Sequence, residues 1–143
     1  MEELLQLLCG LLGSVGFALV FNIKMTRLIP ASLGGLFCWA IYLVMIYFDA
    51  GIFFASFVSA AFCALYSEIL ARIIKAPTTI FMVTSVIPLI PGSTLFYTMQ
   101  YAVLSDWATC KSFGLKTVLY IAGITLGLSI VSAVFKIFTE KKS

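Results

Sequence analysis

The residues best placed to do chemistry lie in one short stretch, Pro88-Leu89-Ile90-Pro91-Gly92-Ser93-Thr94, with Tyr97 one turn further on. Two prolines three residues apart remove two amide donors and clash with preceding carbonyls. The glycine after them loosens the backbone, so a helix running through this stretch must break. The stretch sits inside an apolar segment, Ala76 to Leu104, which as one straight helix would be roughly 43 Å long against about 30 Å of hydrocarbon. Freed carbonyls and amides are tolerated at membrane depth only where protein or a water-filled cavity satisfies them, so a broken apolar helix points to a transport path. A second half-helix opening at Ser93 and Thr94 would aim free amides and the positive end of its dipole at the gap, which suits an anion such as a carboxylate. On this reading Pro88, Pro91 and Gly92 shape the break, and Ser93, Thr94 and Tyr97 line it with donors. The blander alternative is a proline kink packed against its neighbours. Thr84 and Ser85, one turn earlier, are weaker candidates whose hydroxyls more simply bond back to their own helix.

Among charged residues, Glu68 is the one carboxylate clearly inside a span, and intramembrane acids often relay protons. Arg72 follows four residues later, the spacing of an ordinary helix ion pair. Arg72 and Lys75 can also gather anionic cargo at a pathway mouth, although basic residues are expected there from topology alone. Asn22, at a span end, serves as a cap as readily as a ligand.

Other chemistries find no support. The chain has no histidine, which removes the usual general base and the commonest metal ligand. Cys9, Cys38, Cys63 and Cys110 show no paired spacing, and the first three lie in apolar segments where thiols act as small hydrophobes. No metal site, cofactor or disulfide framework is expected. An intramembrane enzyme is the weakest reading, because no nucleophile-base pair appears in any span.

The elements that must position the break follow from composition. The chain is 62% hydrophobic and 10% charged, whereas soluble domains carry about a quarter charged residues, so the expectation is an all-α integral membrane protein. Five spans are expected, at about 4–21, 31–48, 52–71, 76–104 and 114–138, forming a single transmembrane domain over 1–143. The first is read as a span rather than a signal peptide, because Glu2 and Glu3 precede it and no small-residue cleavage pattern closes it. Small residues recur every four positions at Gly10, Ser14 and Ala18 and at Ser56, Ala60 and Ala64, and Gly123 and Gly127 form a G-x-x-x-G pair, which predicts close helix approach. Asp49-Ala50-Gly51 has the chemistry of a tight turn, and Ser105 to Phe113 reads as a loop.

Lys24, Arg27, Arg72, Lys75, Lys136, Lys141 and Lys142 fall on one side of such a topology, against Lys111 and Lys116 on the other. The positive-inside rule then puts the N-terminus outside and the C-terminus in the cytoplasm. The net charge of +3 forms no basic patch, so nucleic acid is not an expected partner. Transporters are often built from two halves of inverted topology. Five spans look like one half, whose small-residue faces would need a partner.

The chain resembles the threonine/serine exporter family, in its short C-terminal-half form, a YjjB-like small subunit. The carrying stretches are Val15-Gly16-Phe17-Ala18-Leu19-Val20-Phe21-Asn22, Ala76-Pro77, and Val86-Ile87-Pro88-Leu89-Ile90-Pro91-Gly92 with Tyr97 after it. The resemblance implies five spans in a bacterial inner membrane, hetero-oligomerisation with a larger YjjP-like subunit, and export of small metabolites. Threonine and serine are the cargo of fused members; the split type is also associated with succinate. Homo-oligomerisation is equally compatible with the G-x-x-x-G face. The runner-up reading is a structural or assembly subunit that moves no cargo.

Overall fold

A computed structural model describes residues 2–140 of the 143, and side chains from residue 4 to residue 137. Lys141 and Lys142, which entered the orientation argument, lie outside the described residues. Every regular element among those described is helical. In chain order they are α1 (Glu2–Val20), α2 (Met25–Tyr47), α3 (Gly51–Ile74), α4 (Thr78–Val86), a single 3₁₀ turn at Ile87–Leu89, α5 (Gly92–Val103) and α6 (Trp107–Glu140).

Helices α2, α3 and α6 are long and apolar enough to cross a membrane, and the bent pair formed by α4 with its 3₁₀ turn and α5 makes a fourth crossing if counted as one span. The apolar part of α1, Leu4–Val20, is shorter than these. The protein is a multi-pass membrane protein on this basis.

Helix α3 is the hub, packing against α2, α4 and α6. Its buried face is built almost wholly from small side chains, Ala55, Ser56, Ser59, Ala60, Cys63, Ala64, Ser67 and Ala71. Without a hydrophobic drive between helices in lipid, close backbone approach and van der Waals packing carry association. The approach is tightest on α6: a methyl added at Gly123 would lie 2.6 Å from the Phe53 carbonyl oxygen, and one at Gly127 would lie 2.5 Å from that of Phe57. The G-x-x-x-G face is therefore consumed inside the chain. The face Gly10/Ser14/Ala18 is likewise turned inward, with Ser14 and Ala18 fully buried. Both findings correct the expectation that these faces wait for another subunit.

Four connections close in the same way. Asn22, Asp49, Lys75 and Ser105 all adopt positive φ, between 52° and 59°. In each case the next amide reaches back five residues, Ile23 to Ala18, Ala50 to Met45, Ala76 to Ala71 and Asp106 to Tyr101, at 3.0–3.1 Å. This is the Schellman closure, which satisfies carbonyls that a helix end leaves orphaned. Asn22 thus serves as a helix stop.

Two boundaries differ from the sequence expectation. The connector expected over Asn22 to Pro30 is shorter, and α2 begins at Met25 with Pro30 inside it. Pro30 sits close to the helix start, where it removes one ladder bond, and its own carbonyl accepts the Tyr66 hydroxyl at 2.7 Å. The loop expected over Ser105 to Phe113 is also mostly helix. Asp106 caps α6 by accepting the Thr109 amide at 3.2 Å, so the helix starts at Trp107 rather than at Gly114. Hydrogen bonds from the Thr109 side chain and backbone hold the exposed Asp106 carboxyl below its ordinary value.

Candidate functional site

The break forms where the proline spacing places it. Pro88 has no amide, and α4 tightens into the 3₁₀ turn, in which the Ile90 amide donates to the Ile87 carbonyl at 3.1 Å. Pro91 then adopts φ −77°, ψ 57°, the geometry of an inverse γ-turn. The Gly92 amide accordingly turns back to the Ile90 carbonyl at 2.7 Å. The helical ladder resumes with the Leu95 amide on the Pro91 carbonyl, 3.1 Å. The two halves meet at 51°.

The upstream half is embedded. Phe81, Thr84, Ser85 and Leu89 are fully buried, enclosed by α2 and α3, while α1 closes over the 3₁₀ turn. Pro88 lies against two glycines: a methyl at Gly10 would fall 3.6 Å from its ring, and one at Gly35 would fall 3.2 Å from it and run into the Ser14 hydroxyl. The Thr84 hydroxyl bonds back to the Ile80 carbonyl at 2.9 Å. That of Ser85 instead crosses to the Ala31 carbonyl on α2 at 3.4 Å. Two polar atoms around this turn, Ser14 Oγ and Trp39 Nε1, are buried without a hydrogen-bond partner. Neither was singled out as a site residue from sequence, because Ser14 reads as part of a small-residue packing face and Trp39 as one more apolar ring.

The downstream half is open. No residue of α5 is buried, and its main support is α6. Gly92 and Ser93 are exposed, and a methyl at Gly92 would meet nothing within 4 Å. The Thr94 hydroxyl donates to the Pro91 carbonyl at 3.2 Å, the same oxygen that takes the Leu95 amide. Helix geometry leaves the first-turn amides of Ser93 and Thr94 without intrahelical carbonyls. Tyr97 stands partly exposed, its ring 5.3 Å from that of Phe113 and 6.5 Å from that of Tyr101, in an aromatic seam tying α5 to α6.

The charged candidates gather elsewhere. Glu68 and Arg72 line an open pocket of about 670 Å³ between α3, α4 and α6, together with Thr78, Thr79, Ser132 and Lys136. The Arg72 guanidinium lies 5.2 Å over the Phe135 ring in the same wall. Lys75, in its left-handed C-terminal cap, is not among the lining residues. Lys136 and Ser132 join the group only through the packing of α6 on α3, and sequence spacing could not have shown this. No cluster of three or more metal-ligating side chains occurs among the described residues.

A family model described as "Threonine/Serine exporter, ThrE" matches residues 6–134. No curated protein matches the chain, and no solved structure does.

Proposed function

The chain belongs to the threonine/serine exporter family, and from that premise we propose that it is a subunit of an exporter of small polar metabolites, working about the break between α4 and α5. The family is one of transporters rather than enzymes, so the site is read for passage and not for bond making. One observation carries the proposal: a 51° bend with half-helix amides and hydroxyls on its open side. A cargo carboxylate approaching Ser93 and Thr94 meets first-turn amides and the positive end of the α5 dipole. Pro88, Pro91 and Gly92 set the geometry, Tyr97 edges the opening, and Ser14 adds an uncommitted hydroxyl behind the 3₁₀ turn. Glu68, Arg72 and Lys75 take charge roles at the other end of α4.

In this reading α1 completes five crossings in a single domain of a bacterial inner membrane, with the Arg72 end cytoplasmic and the N-terminus outside. Threonine or serine is the cargo, with a small dicarboxylate such as succinate as the alternative. The exposed α5 leaves the pathway with one wall, so a five-span YjjP-like partner supplies the other. A non-transporting assembly subunit is the competing reading.

The test is efflux of labelled threonine and labelled succinate from cells lacking their own exporters, with this chain alone, the partner alone, and both. Efflux requiring both chains supports the proposal and names the cargo. Efflux from this chain alone overturns the two-chain arrangement. Assembly with the partner and no efflux of either compound favours the assembly subunit.

A further inference from the structure

From the faces of the exposed helix beyond the break we infer that the protein holds a hydrated polar track along α5, from Ser93 past Tyr97 to Gln100, and that Lys116 of α6 stands beside this track and makes it favour anions. The inference rests on the transport reading above and adds to it two residues, Gln100 and Lys116, that the break does not include.

Helix α5 has three faces. One is turned to α6: Thr94, Thr98, Tyr101 and Ala102 are half-buried, the Cys110 thiol donates to the Thr98 carbonyl at 3.4 Å, and the Tyr101 ring stacks on that of Phe113 at 5.7 Å. A second face is apolar and open, with Leu95 and Met99 49% and 64% exposed. Ser93, Tyr97 and Gln100 form the third. Spaced i, i+4 and i+7, they fall within an arc of about 60° and reach about 10 Å from the break. All three are exposed. An open apolar face can meet acyl chains at no cost. A hydroxyl, a phenol and a carboxamide in line cannot, because lipid tails offer them no hydrogen bond, so this edge belongs where water reaches it.

Lys116 supplies the charge. It stands about 13 Å into α6, a helix apolar enough to cross a membrane, and it is exposed. A lysine in a span ordinarily snorkels to the headgroups. Here the ammonium rests 5.4 Å from the centre of the Phe113 ring, and the Tyr97 ring lies 5.3 Å from that same ring. Phe113 thus links the two, which puts Lys116 on the side of the α5–α6 pair that carries Tyr97 and away from Leu95 and Met99. A cation held beside a watery edge raises the local concentration of anions and lowers that of cations.

The test is thiol modification in open membrane fragments, on the full chain carrying Cys9→Ser and Cys110→Ser, with and without the five-span partner. The probes are a negatively charged and a positively charged methanethiosulfonate of similar size. Gln100→Cys and Met99→Cys compare neighbours at one depth on different faces. Gln100→Cys is expected to react at least about tenfold faster, since charged reagents stay out of hydrocarbon. The ratio of its anionic to cationic rates should fall about fourfold in Lys116→Gln, the scale of one unit charge acting with opposite sign on the two reagents across water. Lys111→Gln, an exposed cation about 140° round α6 from Lys116, should leave that ratio unchanged. Equal rates at Gln100→Cys and Met99→Cys overturn the track. A ratio unmoved by Lys116→Gln, or moved equally by Lys111→Gln, overturns the preference for anions. Gln100→Cys that reacts only without the partner marks a protein interface and overturns the track, whereas reaction in both settings supports it. A reactive Ser93→Cys beside an inert Gln100→Cys also overturns the inference, and leaves passage at the break standing.

Discussion

The two halves of the broken span are made of similar residues and treated in opposite ways. The upstream half, α4 with its 3₁₀ turn, buries Phe81, Thr84, Ser85 and Leu89 completely, and Pro88 is held by glycines on α1 and α2. The downstream half, α5, buries nothing, and Phe96 and Val103 remain 62% and 85% exposed. One half is scaffold and the other is surface. A break in lipid needs both: a fixed side to hold the bend, and an accessible side where freed backbone groups meet water, cargo or protein.

The contrast predicts unequal responses to matched changes. Leu89→Ala, in the embedded half, should cost about 2–5 kcal/mol by leaving a cavity, whereas Leu95→Ala on half-exposed α5 should cost under about 1 kcal/mol. Unfolding in mixed micelles, followed by circular dichroism, measures both, and equal losses would erase the distinction. Gly35→Ala should cost about 1–3 kcal/mol, because its methyl drives into Ser14 and Pro88. The matched Gly92→Ala should leave stability nearly unchanged, since the space around it is open. Any loss of efflux in Gly92→Ala then reports on passage rather than folding.

Smaller effects sharpen the picture where α5 joins α6. Asp106 has a folded-state pKa below its unfolded one, so its capping stabilises fully above the ordinary carboxylate pKa and is lost as pH falls through the folded value. Asp106→Ala should lower the melting temperature at pH 7, and the difference from wild type should shrink as the pH drops below about 4. Ser105→Gly should raise stability by about 1 kcal/mol, because glycine accepts the left-handed conformation at Ser105, φ 59°, without the clash of a side chain. A neutral or destabilising result there would mean that the Schellman closure draws something from the serine.

The break was legible because proline and glycine act on the backbone locally, so Pro88, Pro91 and Gly92 declare it without reference to neighbours. The packing face of α3 was legible for a similar reason: Ser56, Ala60 and Ala64 state it by spacing. What could not be read was tertiary. The Gly123/Gly127 face has the same sequence signature whether it meets another chain or the same one, and only the fold shows it against Phe53 and Phe57. Pro30 looked like a boundary, but α2 begins at Met25 and runs through it with one ladder bond forgone. Polar Asp106 looked like loop, yet it is a cap. Lys136 lines the same pocket as Glu68 and Arg72 from a distant part of the chain, so that pocket had no local signal, whereas Lys75, which is close to them in sequence, is not among its lining residues.

If the α4–α5 break serves passage, its open side lines an aqueous path. Cys38 and Cys63 are buried, while Cys9 is exposed and Cys110 partly so. A background with Cys9→Ser and Cys110→Ser therefore allows Ser93→Cys to be probed in membranes with a charged, membrane-impermeant thiol reagent. Ser93→Cys is expected to be modified rapidly, and more slowly with threonine present, while a Leu89→Cys control stays unreactive. An inert Ser93→Cys, or modification that threonine does not slow, would contradict it.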